Sequence, residues 1–310
     1  AIQKRAMEVL AKMYDRAEPA APRLIELLLA DEPTDALRAL VNMGDKSVPH
    51  LKKALSDPNK KLRLEVLSTL GAMGPSAESA IPEIVNQIGD KNKEVRKASI
   101  KCLGAIDTKL KPAIPRLVEA LSDEDSSVRL ESVSTLSKIY HNNEVVVPAL
   151  TKALSDKDGS VELNAIIALG RLKAESAVKP IMEKLSHGHP SMKWAAIESL
   201  GQIGEASHPA IPKLIDLLSD KLEGQTASRA LAGIGEKAIQ PLINVIADDE
   251  SPSVTNAAFA LSKMGVKAAV AIPALKKRIE KYPKSFQTGY LQQVVREIEE
   301  EVINANSGKK

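Results

Sequence analysis

The stretch AIPRLVEALSDEDSSVRLESVSTLSKI, residues 113–139, has a near copy on each side of it. AIPEIVNQIGDKNKEVRKASIKCLGAI starts 33 residues earlier, at 80–106, and VVPALTKALSDKDGSVELNAIIALGRL starts 33 residues later, at 146–172. Self-similarity at a fixed period of this length is typical of stacked supersecondary units. The chain is therefore interpreted as one array of repeats, which needs no boundary between conventional domains.

Each copy predicts two helices. The first part of the stretch carries apolar residues at i, i+3, i+4 and i+7, which is one helical stripe: Ile114, Leu117, Val118 and Leu121. Pro115 lies in the first turn, where its missing N–H needs no partner. A short polar turn follows, and residues 126–139 predict the next helix. Because neither helix can cover its own stripe, neighbouring pairs are expected to stack.

Nine such units can be counted along the chain. A proline marks the second helix of every unit: Pro22, Pro49, Pro82, Pro115, Pro148, Pro180, Pro212, Pro241 and Pro273. A late apolar residue in the same helix gives the register: Leu28, Leu55, Ile88, Leu121, Leu154, Leu185, Leu218, Ile246 and Ile279. Glycines that can adopt positive φ are expected to end several first helices: Gly44, Gly74, Gly204, Gly235 and Gly265.

The pattern AIPxLxxALSDxxxxVRxxAxxxLGxIG resembles a HEAT repeat, in the short bacterial form also found in phycobilin-lyase-type proteins. The resemblance covers residues 1 to about 280 and implies a ladder between repeats. Its rungs would combine an Asp after the second helix with an Arg in the next helix. The matching pairs are Asp57 with Arg63, Asp90 with Arg96, and Asp123 with Arg129. The ladder is expected to lapse where the arginine is replaced, at Glu162, Lys193 and Thr255.

The predicted fold is all-α, a right-handed α-solenoid superhelix of about nine HEAT-type helix pairs. Residues 1–284 are assigned to a single array and residues 285–305 to a C-terminal capping helix with a polar exterior. Residues 306–310 are predicted to form a flexible tail. No apolar run long enough for a membrane span is found in the sequence.

Charge is distributed unevenly along the chain. Residues 46–116 hold 14 Lys or Arg against 7 Asp or Glu, residues 117–261 hold 13 against 20, and residues 262–310 hold 10 against 5. These segments are either solvated helix surfaces or separate basic and acidic faces. The one cysteine, Cys102, is predicted to be a buried small hydrophobe. The compartment stays open between the cytoplasm and export, because Ala1 could follow a removed signal peptide.

The sequence offers little that predicts catalysis or cofactor binding. Its histidines are His50, His141, His187, His189 and His208. HGHP, at 187–190, supplies only two potential metal ligands and is expected to be a turn. Deoxyhypusine hydroxylases, which share the repeat, carry His-Glu pairs that this chain lacks. We therefore expect no metal, no cofactor and no enzymatic activity.

The leading prediction is a protein-protein interaction scaffold that binds a protein or peptide along its second helices. By resemblance these helices line the concave face, and the outward candidates are Lys52, Lys53, Asn86, Arg116, Glu119, Lys152, Glu183, Lys213, Asp216 and Asn244. Trp194 is either packed in the core or an exposed anchor. One alternative is nucleic-acid binding through residues 46–116. Another is a phycobilin-lyase-like or other ligand-handling accessory factor. Membership of a larger assembly is left open.

Overall fold

The computed structural model describes residues 12, 14–107, 110–139, 143–186 and 189–307. Within these residues it contains eighteen α-helices and no strand. In chain order they are α1 Ala21–Leu27, α2 Thr34–Asn42, α3 Val48–Ala54, α4 Lys60–Met73, α5 Ile81–Gln87, α6 Lys93–Ile106, α7 Ile114–Ala120, α8 Ser126–Leu136, α9 Asn143–Ala153, α10 Gly159–Arg171, α11 Val178–Glu183, α12 Pro190–Ile203, α13 Ile211–Asp216, α14 Gly224–Ile234, α15 Ile239–Ala247, α16 Val254–Met264, α17 Ile272–Lys281 and α18 Thr288–Ser307.

The odd-numbered helices α1 to α17 are the nine predicted second helices. The even-numbered helices α2 to α16 are the first helices of the second to ninth repeats. The first helix predicted for the first repeat falls largely on residues outside the described ranges. The all-α solenoid predicted from the repeat is confirmed, with helix pair following helix pair along the chain.

The chain divides into two compact units. Unit 1 comprises residues 1–149 and 156–164, and unit 2 comprises residues 150–155 and 165–310. In unit 1, α4 packs on α6 and α6 on α8, while α3, α5 and α7 each pack on the first helix that follows. In unit 2, α12, α14 and α16 pack in the same succession, and α13 and α15 pack on the first helices that follow them. Each unit therefore has a layer of first helices and a layer of second helices.

The helix ends follow from the residues predicted to set them. Proline occupies one of the first two positions of α1, α3, α5, α7, α13 and α17. Pro148 differs, because α9 begins earlier, at Asn143, and includes it in the helix interior. The five glycines predicted to end first helices all have positive φ: Gly44, Gly74, Gly204, Gly235 and Gly265. Only glycine adopts this conformation without strain, so these predictions are confirmed.

The core of each unit is aliphatic. Seven of the nine ruler residues of the second helices are buried, and Leu28, Leu55, Leu154 and Leu218 are each at most 2% exposed. Leu121 and Ile279 are half-buried. Cys102 is 3% exposed in α6, which confirms its prediction as a buried small residue. Burial raises the pKa of its thiol to about 12. Since the thiolate is the reactive form, this cysteine is a packing residue at neutral pH.

Residues Val254–Lys281 have the length of a membrane-spanning segment and contain an 18-residue window with a mean hydropathy of 1.4. The segment consists of α16 and α17, separated by a 3₁₀ turn that begins at Gly265. Almost half of its apolar window, 44%, is buried inside unit 2. Its hydropathy is therefore that of a helix pair whose inner faces form the core of the last repeat.

Helix α18 packs against α16, α17 and the 3₁₀ turn between them. Leu291, Val294, Val295 and Ile298 are buried in that contact. Glu297 accepts a hydrogen bond from the Ser262 hydroxyl at 2.6 Å, and Glu299 pairs with Lys276 at 2.8 Å. Glu300 is exposed on the other side of the helix, and the carboxylate of Glu301 lies beside Gly265 at the edge of the contact. The apolar stripe of α18 thus packs on the last repeat, and charged residues lie at the border of this contact and on the solvent side of the helix.

Candidate functional site

One helix position is exposed in all nine second helices. It lies two residues before the apolar ruler residue, and its occupants are Glu26, Lys53, Asn86, Glu119, Lys152, Glu183, Asp216, Asn244 and Lys277. Seven of these were among the candidates from sequence. Glu26 and Lys277 were missed, although the same register would have identified them. We call this set the second-helix row and treat it separately in each unit.

In unit 1 most charges of the row have intramolecular partners. Arg23 contacts Glu26 at 2.5 Å and Arg116 contacts Glu119 at 2.6 Å, each pair three residues apart on one helix. Lys52 is half-buried, and its Nζ lies 3.0 Å from Glu83 in the next repeat. Of the row members in unit 1, Lys53 has no ion-pair partner among the described residues, and Asn86 is uncharged. The unit 1 row therefore presents mainly neutralised charge.

In unit 2 the row presents charges without ion-pair partners. Within the described residues no ion pair involves Lys152, Glu183, Asp216 or Lys277, and the same holds for the candidate Lys213, three residues before Asp216. All five side chains are exposed. A ligand could contact them without breaking an existing ion pair. The unit 2 row is consequently the more favourable half for recognition.

Trp194 is exposed, with 46% of its surface accessible, and lies near the start of α12. Because α12 is a first helix, Trp194 does not belong to the second-helix row. The prediction that Trp194 packs in the core is therefore wrong, while its role as an anchor stays a prediction. The structure places no second exposed aromatic on a described first helix of unit 2.

The arginine ladder is built from residues of successive repeats. The guanidinium of Arg96 donates from Nε and Nη2 to both carboxylate oxygens of Asp123, each at 2.7 Å. Arg129 contacts Asp156 in the same way, at 2.8 Å for both bonds. Arg63 contacts Asp90 at 2.9 Å. Each arginine also donates from Nη1 to the backbone carbonyl of the aspartate in its own turn, which gives Arg63 a contact with Asp57 at 2.8 Å.

In each pair predicted from the sequence, the arginine therefore binds the backbone carbonyl of its aspartate and not the carboxylate. The carboxylate that it binds belongs to the aspartate of the next repeat. Asp156 was missed, although SDKD at 155–158 matches SDED at 122–125. In these turns the aspartate accepts a hydrogen bond from the backbone N–H two residues later: Asp57 from Asn59, Asp90 from Asn92, Asp123 from Asp125, and Asp156 from Asp158. The turn thus fixes each carboxylate before the arginine binds it.

These contacts shift the pKa values of two ladder carboxylates, Asp90 and Asp156. The hydrogen bonds from Arg129 hold the pKa of Asp156 below its ordinary value. Burial acts to raise the pKa of Asp90, but the hydrogen bonds from Asn92 and the charge of Arg63 outweigh it and lower the pKa. The hydrogen bonds that Arg96 donates to the Asp123 carboxylate raise the pKa of Arg96. The Arg129–Asp156 rung therefore favours the charged form of both partners.

The lowered pKa values predict a loss of stability in acid. A carboxylate with a folded-state pKa below its unfolded value, about 3.9 for aspartate, stabilises the fold fully above that value. This stabilisation disappears as the pH falls through the lower, folded-state pKa. We expect the free energy of unfolding of Asp156→Asn to fall less steeply below about pH 4 than that of the unsubstituted chain. Urea denaturation at a series of pH values measures this, with exposed Glu175→Gln as control; parallel curves for Asp156→Asn would contradict it.

In unit 2 the arginine ladder is replaced by other contacts. Lys193 forms an ion pair with Glu223, which is 12% exposed. The Asn256 amide donates to the carbonyl of Leu218 at 2.6 Å. Arg278 donates to the carbonyl of Asp248 at 2.6 Å and lies 3.6 Å from the Asp249 carboxylate. Where Lys193 and Thr255 stand in place of the ladder arginine, successive repeats are thus connected by contacts of a different kind.

Two of the three described histidines, His189 and His208, have side chains that contact polar groups of their own turns. Nδ1 of His189 lies 3.0 Å from the Ser191 hydroxyl and accepts from the Ser191 N–H, so this side chain caps α12. Nδ1 of His208 lies 3.3 Å from the carbonyl of Glu205. His141 and His187 lie outside the described residues. Across the described ranges no group of three or more His, Cys, Asp and Glu side chains is arranged to hold a metal ion.

The family comparison agrees with the repeat register. The model of HEAT repeats matches residues 48–137, 81–162 and 147–225, which together span more than half of the chain. The model of the PBS lyase HEAT-like repeat matches residues 34–57. No curated protein sequence matches the chain.

Solved structures with the same fold have low sequence identity to this chain. A crystal structure of an engineered protein matches over 97% of this chain and 95% of its own, with 20% identity and a TM-score of 0.54. The Kap95:Nup1 complex matches over 91% of this chain and 44% of its own, with 12% identity and a TM-score of 0.59. Importin beta matches over 93% and 46%, with 14% identity and a TM-score of 0.58. The chain spans less than half the length of the last two.

Proposed function

Because the chain belongs to the HEAT-repeat family, we propose that it is a non-enzymatic scaffold that binds a protein or peptide partner along its second helices. The observation that carries the proposal is the second-helix row, a single exposed helix position repeated in every unit. A rigid array of helices that presents one side chain per repeat suits recognition of an extended surface or segment. One of the solved structures with this fold, Kap95:Nup1, is itself a complex.

The spacing of the row suits an extended peptide. Packed helices lie about 8–10 Å apart, so successive row residues within a unit are separated by roughly that distance. An extended chain rises about 3.3 Å per residue, so every third residue of the partner would meet one repeat. Along unit 2 the charges run from Lys152 through Glu183 and Asp216 to Lys277. The matching partner carries an acid, two bases and an acid in that order.

The test is affinity capture from a lysate of the source cell with three baits. They are the unsubstituted chain, a row variant with Glu183→Lys and Asp216→Lys, and a control with Glu175→Lys and Glu250→Lys. The control residues are exposed acids of unit 2 that lie outside the row. We expect a partner to be retained by the first and third baits, and to bind the purified row variant about tenfold more weakly in calorimetry.

Nuclease treatment distinguishes the alternatives. Protein-mediated capture should persist after nuclease and depend on the row. A partner that binds the row variant as tightly as the unsubstituted chain would exclude the row as the binding surface. Capture that is lost with nuclease would instead favour nucleic acid as the partner.

A further inference from the structure

A second surface, on the first helices of unit 1, has a different character from the second-helix row. The exposed side chains of α4, α6 and α8, together with Lys138 after α8, comprise six lysines, one glutamate and four small residues. The lysines are Lys60, Lys61, Lys93, Lys97, Lys101 and Lys138. The others are Glu94, Ser68, Ala72, Ala105 and Ser134. We call this surface the basic layer.

Part of this positive charge is available to a ligand. Lys60 pairs with Glu94 at 3.5 Å, and Lys93 pairs with Asp125 at 2.8 Å. Lys97 and Lys101 follow Lys93 at intervals of four residues along α6, and neither has a carboxylate partner within the described part of the chain. Lys138 contacts only the carbonyl of Gly104, at 3.1 Å. The arginines of α4 and α6, Arg63 and Arg96, are buried in the ladder and do not contribute.

An apolar groove of about 310 Å³ lies between α4 and α6, within the basic layer. Leu64, Leu67 and Ala98 contribute to its walls, and Lys101 lies at its edge. Beside Gly71 in α4 the facing helix leaves space for a further side-chain atom. A Cβ added at Gly71 in α4 would meet its nearest neighbour, Cys102, at 3.7 Å.

The corresponding glycines elsewhere lie against their neighbours. A Cβ at Gly104 would lie 2.9 Å from the Thr135 hydroxyl, and one at Gly170 would lie 2.8 Å from the Cα of Ser199. At Gly201 it would lie 2.7 Å from the Cα of Ala230. Among these glycines Gly71 therefore has the most open surroundings, because a side chain fills the space at Gly104 and the backbone of the next helix fills it at Gly170 and Gly201.

We propose that the basic layer is a docking site for an acidic amphipathic helix of a protein partner. Carboxylates on such a helix would pair with Lys97, Lys101 and Lys138, and its apolar side chains would enter the groove between α4 and α6. The small side chains of Ser68, Ala72 and Ala105 let a helix approach closely. A nucleic acid would use the lysines but leave the apolar groove empty. Residues 46–116 also contain no Phe, Trp or Tyr on which bases could stack.

The site is tested with synthetic peptides of about 20 residues, long enough to form several helical turns. One carries leucine on one face and glutamate on the other, and the second has the leucines replaced by glutamine. We expect the leucine peptide to bind at least about tenfold more tightly in fluorescence anisotropy, because only it fills the groove. Its affinity should fall as salt is added, since the lysines are solvent-exposed.

Two variants and a matched control complete the test. Lys97→Glu with Lys101→Glu should weaken binding of the leucine peptide by about tenfold or more, because attraction becomes repulsion. Ala105→Phe should fill the groove and lower the affinity for the leucine peptide to that for the glutamine peptide. Arg171→Glu with Arg229→Glu, two exposed cations on first helices of unit 2, should leave binding within about twofold. Circular dichroism confirms that each variant is folded.

Three results would overturn the proposal. Equal binding of the two peptides would exclude the groove, and unchanged binding by the lysine variant would exclude the basic layer. Displacement of the leucine peptide by a DNA duplex of similar length at lower concentration would identify the layer as a nucleic-acid surface. None of these three results would affect the proposal for the second-helix row, because the variants that test the row lie on second helices.

Discussion

We expect Arg129→Ala to lower the free energy of unfolding by about 3–5 kcal/mol, the cost of removing one partner from a buried ion pair. The guanidinium is 4% exposed and the Asp156 carboxylate 9% exposed, so the substitution leaves a buried charge without its partner. It also leaves the backbone carbonyl of Asp123 without its donor. Urea denaturation followed by far-UV circular dichroism measures the change.

Two further variants isolate the ion pair. Arg116→Ala removes an exposed arginine whose pair with Glu119 is worth about 0.5 kcal/mol or less, so it controls for loss of an arginine. In the double variant Arg129→Ala with Asp156→Asn, no buried charge is left alone, and part of the stability should return. A loss at Arg129 no larger than that at Arg116 would show that the rung contributes little to stability.

The second large effect is expected at Gly170, in α10. Replacement by alanine would place a Cβ 2.8 Å from the Cα of Ser199 and 2.6 Å from its hydroxyl. The backbone of α12 cannot rotate away as a side chain can, so the helices must separate. We expect Gly170→Ala to lower the free energy of unfolding by about 1–3 kcal/mol, the usual cost of overpacking.

Gly71 provides the matched control, because it occupies the same position of an earlier repeat. A Cβ there would lie at ordinary contact distance from its neighbours. Alanine also has the higher helix propensity, so Gly71→Ala should be neutral or stabilise by up to about 1 kcal/mol. Equal destabilisation of both variants, in the same urea titrations, would mean that helix separation is not the cause at Gly170.

The fold could be predicted from the sequence because its signals are local. The proline of each second helix and the ruler residues, such as Leu121 and Leu154, depend only on helical geometry and burial. The positive-φ glycines, such as Gly74 and Gly204, depend only on backbone sterics. The close approach at Gly170 was not predicted, because it depends on the distance between two helices rather than on either helix alone.

The surfaces could be predicted less completely. Placing Glu119 and its equivalents on the outer side of the second helices required only the register, and the structure exposes them. Sequence spacing could not show that Glu119 is already paired with Arg116, whereas Asp216 has no ion-pair partner among the described residues. The ladder shows the same limit. Its members were found from the motif, but which aspartate's carboxylate each arginine contacts depends on the stacking of the next repeat.

The charge of residues 46–116 illustrates why a linear count is insufficient. The excess of seven positive charges includes Arg63 and Arg96, which are buried between repeats. Much of the remaining positive charge is exposed on one helix layer, where only Glu94 is an exposed acid. Helical periodicity separates the two groups, since residues 93, 97 and 101 share one face and residue 96 lies on another.

The ladder contacts all run in one direction along the chain, and this direction affects how the array can lengthen. Each arginine contacts the aspartate of the following repeat, so a segment such as residues 91–123 contains one complete joint, Arg96 with Asp123. A tandem duplication of this segment would supply its own arginine and its own aspartate, and both neighbouring joints would still find their partners. In unit 2 the joints differ from repeat to repeat, as Lys193 with Glu223 and Asn256 with Leu218 show. A duplicated segment there would meet a neighbour with unmatched chemistry, so growth by duplication is accommodated most readily between residues 57 and 156.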